Sequence, residues 1–263
     1  WVNSSTGTAS GGMSNDDAGA TMSMTAGSST TGSRRFDSRG EALRFFASGD
    51  WALIGLDNAG SLGAGETITD VDSHSMAMGA NAKLSGVTVG GTLTIGGSTT
   101  VQVTGLGDQH VSVRLTESMV VGGSVSLSSG MLGMQFGGSV DNFHGAIVRF
   151  DLSTPVGDRA YDLFVEHGHV SSRGCELEAT FTGETRSQST GVTGAGGASI
   201  TNTNTTTDEH YEYADGHTVD RQTGTESVGL SIPLVGSHRE SDSLAAEHDS
   251  RTGERTYSVT NTV

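Results

Sequence analysis

From Val87 to Met131 the chain keeps a single apolar/polar alternation that never loses its phase. Odd positions carry Val87, Val89, Leu93, Ile95, Val101, Val103, Val111, Val113, Leu115, Met119, Val121, Val125, Leu127 and Met131. Even positions carry Thr92, Thr94, Gln102, His110, Ser112, Arg114 and Ser126 among further Ser, Thr and Gly residues. Leu106 and Val120 interrupt the polar set, and Gln109 and Glu117 the apolar one. A strand sends successive side chains to opposite faces, so a phase held this long predicts a two-faced β surface. A two-residue hairpin turn pairs residues of opposite parity and would swap the faces. The retained phase therefore predicts very long strands, or connections with an odd number of residues.

Little elsewhere in the chain could cover such a surface. Hydrophobic residues make up 33% and aromatics 5%, with 40 glycines and two prolines in 263 residues. A chain of this kind has few bulky side chains to pack and much backbone entropy to lose on folding. Backbone hydrogen bonding in a large sheet, or neighbouring copies, must hold it together. The formal charge of −16 disfavours nucleic acid and anionic lipid as primary partners, because both need a basic surface. The lone cysteine, Cys175, leaves no internal disulfide framework. No run approaches the roughly 18 apolar residues of a spanning helix, so any membrane contact would be through β-hairpins. Lys83 is the only lysine among 14 Lys and Arg residues, a bias associated with GC-rich bacterial genomes. A secreted or cell-surface bacterial protein is expected, and the start at Trp1 reads as a mature or excised portion.

Two helical signals punctuate the β pattern. Ser38 to Asp50 has a capping serine, Glu41 three residues on, an apolar stripe of Leu43, Phe45 and Phe46, and Gly49 to end it; Trp51 to Leu56 then reads as a short buried strand. The second signal spans 154–168, with Thr154 as cap, Pro155 in the favoured first position and Gly168 as stop. Arg35-Phe36-Asp37 before the first matches Arg149-Phe150-Asp151 before the second, and Gly65-Glu66-Thr67 recurs as Gly183-Glu184-Thr185. These matches suggest a diverged tandem: a first unit at 34–148 and a second at 149–263. Residues 1–33 would be a Gly/Ser/Thr-rich linker or the end of a preceding unit. Alternation resumes at Leu177, Ala179 and Phe181, and again at Val228, Leu230 and Ile232.

No catalytic constellation stands out. His167 and His169, and the histidines from His210 to His248, lack the spacing of a zinc or iron site. Asp70 with Asp72, and Asn15 with Asp16 and Asp17, are weak Ca2+ candidates without the closing glutamate of a calcium loop. There is neither a nucleophile elbow nor a phosphate loop, so no catalytic, cofactor-binding or metal-ligating residue is assigned and no enzyme is expected.

The fold class expected is mainly β: long amphipathic antiparallel strands or hairpins, barrel-like or in an extended sheet, with two short α-helices. The apolar face to be used in membrane or assembly contact is Val87, Val89, Leu93, Ile95, Val101, Val103, Val111, Val113, Leu115, Val121, Val125 and Leu127. The opposite, polar face is Thr92, Thr94, Gln102, His110, Ser112, Arg114 and Ser126. One functional reading is a homo-oligomer that inserts hairpins as a pore-forming or translocation module. Resident outer-membrane barrels carry aromatic girdles and this stretch has no aromatic residue, which points to a toxin-like, late-inserting barrel. A second reading is a structural or adhesive subunit whose apolar face packs on neighbouring copies. A third is a soluble β-sandwich binding module.

Overall fold

The alternation becomes a set of long strands laid side by side in chain order. The computed structural model describes residues 2–14, 18–34, 43, 44, 47, 56–233 and 235–262. The first six strands are β1 (Val2–Ser14), β2 (Ala18–Ser33), β3 (Thr67–Leu84), β4 (Val87–Gly107), β5 (His110–Ser129) and β6 (Leu132–Asp151). A helix, α1 (Pro155–His167), leads to β7 (Cys175–Thr193), β8 (Ser199–Tyr213), β9 (Thr218–Ile232), β10 (Gly236–Asp249) and β11 (Arg255–Thr262). Each strand pairs antiparallel with the next, giving a single eleven-stranded sheet. Among the described residues no pairing joins β1 to β11, and with eleven strands these two edges run in the same direction.

The phase of the alternation is preserved by a bulge. Asp108 and Gln109 form a two-residue turn with φ of 50° and 61°, which alone would swap the faces. Between Gly105 and Gly107 the register shifts, so that Gly105 pairs with Val111 and Gly107 with His110. Leu106, which interrupts the polar set in the sequence, is the extra residue, and it restores the parity that the turn reverses. A second shift lies between Ile147 and Val148, where Val148 pairs with Leu177 but Ile147 pairs with Ala179. The sequence reading placed Leu177, Ala179 and Phe181 on one face; this bulge leaves Leu177 beside Val148 and sends the other two to the opposite face.

The two ends of the sheet differ. At the tip end, tight turns such as Ser85-Gly86 join β3 to β4. The long connections, β2 to β3 and β6 to β7, lie at the other end, and α1 sits there. This helix is built as its sequence predicts. The Thr154 hydroxyl accepts from the Gly157 amide at 3.1 Å, Pro155 opens the first turn, and Gly168 closes it at φ 65°. Ala160, Tyr161 and Phe164 turn toward the sheet and pack on Ile68, Val103, Val111, Val113, Val148 and Phe150. The Tyr161 ring meets Phe150 edge-on at 5.6 Å, and its hydroxyl donates to the Leu56 carbonyl at 2.8 Å. Burial pushes the Tyr161 phenol pKa far up. A 3-10 turn, Leu56–Ser61, contributes Ala59 to the same core.

This core corrects the proposed contact face. Val101, Val103, Val111 and Val113 are buried, Val113 completely, with Leu115 packed against them. They belong to an internal core, because α1 and the 3-10 turn already cover this end of the sheet.

Residues 2–14 and 18–33, expected as linker or the end of a preceding unit, form the first hairpin of the same sheet. The boundary at 148/149 falls inside β6. Leu43, Arg44 and Ala47 are helical; the rest of the first predicted helix, and the expected strand from Trp51 up to Gly55, lie outside the described residues.

Candidate functional site

The two faces of the sheet differ in chemistry and in accessibility. Along β5 the polar-face residues Thr116, Ser118, Gly122 and Ser124 are half-buried, whereas Met119, Val121 and Val125 on the other face are exposed. The same holds on β7, where Ser187 and Ser189 are half-buried and Gln188, Thr190 and Val192 exposed. Small side chains shielded more than large ones mean that the sheet curls around the Ser/Thr face. The polar face is therefore concave and the apolar face convex.

Thr92, Thr94, Gln102, Ser112, Arg114 and Ser126 all lie on the concave side, with His110 at its rim. Hydroxyl pairs run across it: Thr92 with Ser124 at 2.8 Å, Ser98 with Ser118 at 3.0 Å and Thr185 with Thr207 at 2.9 Å. Of the residues proposed for the apolar face, Val87, Leu93, Ile95, Val121, Val125 and Leu127 are exposed on the convex side, and Val89 is half-buried there.

Cross-strand registers sort the convex face into levels. Toward the tips, β2 to β6 present an apolar band: Met22 and Met24, Met76 to Leu84, Val87 to Ile95, Val121 to Leu127, and Leu132 to Val140. On β3, β4 and β6 it covers nine residues, or roughly 20 Å of depth at a barrel strand's tilt of about 45°. Two rows from the band toward α1, past a mixed row that includes His74, Met119, Asn142, Glu184, Asp208 and Tyr257, a level is polar in every strand from β3 to β11. It reads Asp72, Thr99, Glu117, His144, Thr182, His210, Asp220, His248 and Arg255, each paired with the next. His144 lies 3.4 Å from Glu117, and His210 lies 2.6 Å from Asp220.

Directly behind this level the concave face is charged as well. Arg114 donates to the Tyr211 hydroxyl at 3.0 Å and to Glu209 at 3.3 Å, and its guanidinium lies 4.1 Å over the Phe181 ring. Tyr211 itself donates to Glu209 at 3.1 Å, and Arg221 holds Glu247 at 2.6 Å. Phe181, Tyr211 and Val219 form a second small core beneath these charges. Arg114 was legible in the sequence as a polar-face residue, but its partners were not. They lie about a hundred residues downstream, and a bulge brings Phe181 to their face.

The weak cation candidates gain no support. Asp70 and Asp72 share the convex face of β3, with Asp70 accepting from Thr30 at 2.6 Å, while Asn15 to Asp17 lie outside the described residues. Among the described residues, no three His, Cys, Asp or Glu side chains converge as a metal ion would require.

No family model and no curated protein matches the chain. Among solved structures, the siderophore receptor PiuA of Acinetobacter baumannii aligns with 94% of this chain at 8% identity and a TM-score of 0.44. The outer membrane transporter YddB of Escherichia coli aligns with 99% at 12% identity and a TM-score of 0.31. The transport unit of the Escherichia coli autotransporter AIDA-I aligns with 99% of this chain and 87% of its own, at 10% identity and a TM-score of 0.19. This chain spans 47% of the first protein's length and 36% of the second's. At these scores the likeness does not extend to activity.

Proposed function

We propose that the chain is a non-enzymatic β-module that forms part of the wall of a membrane pore or translocation channel at a bacterial surface, assembling with further copies of itself. One observation carries this reading: a convex apolar band about nine residues tall backs onto a concave Ser/Thr lining on the same strands. In a transmembrane β wall the outward side chains meet acyl chains and the inner ones meet water. A solenoid or sandwich would turn its apolar face inward, and the described strands form one sheet rather than two. The charged level two rows beyond the band, with ionisable groups on both faces, bounds the surface that lipid would cover. Phe136 is the one aromatic residue of the band on β2 to β6, which favours toxin-like late insertion over a resident barrel with aromatic girdles.

One observation favours the alternative of a surface or filament subunit packed on its own copies. From β7 to β9 the band is broken, with Arg186, Gln188, Asn202, Asn204 and Glu226 in its rows. Dye-loaded vesicles and planar bilayers separate the two. The pore reading expects dye release and stepwise conductance. Vesicles left intact at neutral and acid pH, with rings or fibres visible by electron microscopy, would overturn it in favour of the subunit.

A further inference from the structure

The part of the convex face where the band fails is short of apolar character for a specific reason. On β9 to β11 the same rows hold Val228, Leu230, Ile232, Leu244 and Val259, so the apolar residues continue. Three carboxylates interrupt them: Glu226, Asp242 and Glu240. Glu226 pairs in register with Asp242, and Glu240 pairs with Val228. The groups facing them are amides and one another. From β8, Asn204 is opposite Glu226, and the Asn202 amide donates to it at 3.4 Å. From β11, the Asn261 amide donates to Asp242 at 2.5 Å. His238 shares this face of β10 and pairs with Leu230 close to the tips. Among the described residues no Lys or Arg faces the three carboxylates.

The fixed charges of this half of the sheet lie at its borders. Arg186 sits in the band row nearest α1 and is ion-paired with Glu184 in the row just beyond it. His238 sits near the tips, where a long or polar side chain reaches interfacial water. The carboxylates alone hold the middle rows, where a charge is costly in lipid and a protonated acid much less so.

We infer that the convex face of β9 to β11 is a second lipid-binding surface, complementary to the band on β2 to β6 and completed by protonation of Glu226, Glu240 and Asp242. This rests on the membrane reading above and adds a condition to it: the module enters neutral bilayers in acid and stays out near neutral pH. Vesicles of zwitterionic phosphatidylcholine exclude simple charge attraction as the cause.

Dye release from such vesicles is followed near neutral pH and at about pH 4.5. The wild-type chain is expected to release dye about tenfold faster in acid. The triple variant Glu226→Gln, Glu240→Gln, Asp242→Asn is expected to do so near neutral pH at the acid rate of the wild type. Asp208→Asn, in the row between the band and the charged level, should leave the pH profile unchanged. As a check independent of the triple variant's folding, a polarity-sensitive dye is placed on Val228→Cys in a Cys175→Ser background. Its emission should shift to the blue with vesicles in acid only. Equal release at both pH values, a triple variant that keeps the wild-type profile, or a dye that stays in water in acid overturns the inference while the pore reading stands. No release at any pH removes the pore reading itself.

Discussion

Arg114 on β5 donates from Nη1 to the Tyr211 hydroxyl on β8 at 3.0 Å, bridging the two strands between them. Three strand spacings of about 4.8 Å make a chord of roughly 14 Å, close to the summed reach of the two side chains. The bridge therefore lies low across the concave face, over Phe181, and ties four neighbouring strands together. Arg114→Ala leaves Glu209 and the Tyr211 hydroxyl without this donor, and should cost about 2 kcal/mol in urea unfolding. Arg114→Lys should recover only part of that, because an ammonium can neither serve both acceptors in a fixed fork nor stack as a plane over Phe181. Equal stability of the alanine variant and the wild type would show that the bridge contributes nothing.

Beneath this bridge two glycines are covered by rings. Gly145 pairs with Phe181 and Gly183 with Phe143, so each phenylalanine lies over the glycine opposite, and the rings are 6.4 Å apart. A Cβ on Gly145 would meet the Phe181 ring and the Leu115 carbonyl, and one on Gly183 would meet the Phe143 ring. Gly183→Ala should therefore lose about 1–3 kcal/mol through forced ring movement. Gly224→Ala, with nothing within 4 Å of its Cβ, should be neutral or slightly stabilising. Thermal melts of the two variants side by side give the comparison.

The start of α1 is sensitive to acid. The Asp151 carboxylate accepts from the Ser153 hydroxyl at 2.5 Å and from the Ser153 amide at 3.0 Å, and these bonds hold its pKa below the ordinary carboxylate value. A group with a lowered folded pKa contributes stability that is fully present above its unfolded value of about 4 and fades as pH falls through the folded value. Asp151→Asn should thus lower the melting temperature at neutral pH by a small amount, Asp151 being solvent-exposed, with the gap closing as pH falls through the lowered folded value. A gap that stays constant across pH would exclude this linkage.

Much of the wall was legible in the sequence because period-2 alternation records burial directly. Val87 to Leu127 sorts onto two faces as its parity states, and Thr154, Pro155 and Gly168 mark the helix ends. What alternation cannot record is which stretch of an apolar face another element covers. Val113 and Val121 look alike in sequence, yet α1 lies over the first and nothing among the described residues lies over the second. Nor can it record a parity change without a turn. The bulge opposite Ile147 and Val148 carries Phe181 to the concave face, and no local residue type announces it.

That difference between Val113 and Val121 decides how the membrane reading should be tested by mutation. Val113 is fully buried in the core beneath α1, so Val113→Asp puts an unpaired charge there and should unfold this end of the sheet whatever the protein does. Val121 is 43% exposed in the row of the convex band nearest α1, and Val121→Asp should leave far-UV circular dichroism and the melting temperature close to wild type. In a bilayer the same aspartate faces acyl chains near the edge of the band at a cost of about 1 kcal/mol per copy, repeated in each subunit of an assembly, and vesicle permeabilisation should fall by about tenfold. Thr94, one strand away, points to the concave side at the same depth. Thr94→Asp should keep the chain membrane-active and shift its conductance toward cations, because an added carboxylate then lines water. If Val121→Asp and Thr94→Asp behave alike in both assays, the two faces do not meet different solvents and the wall is not a membrane wall.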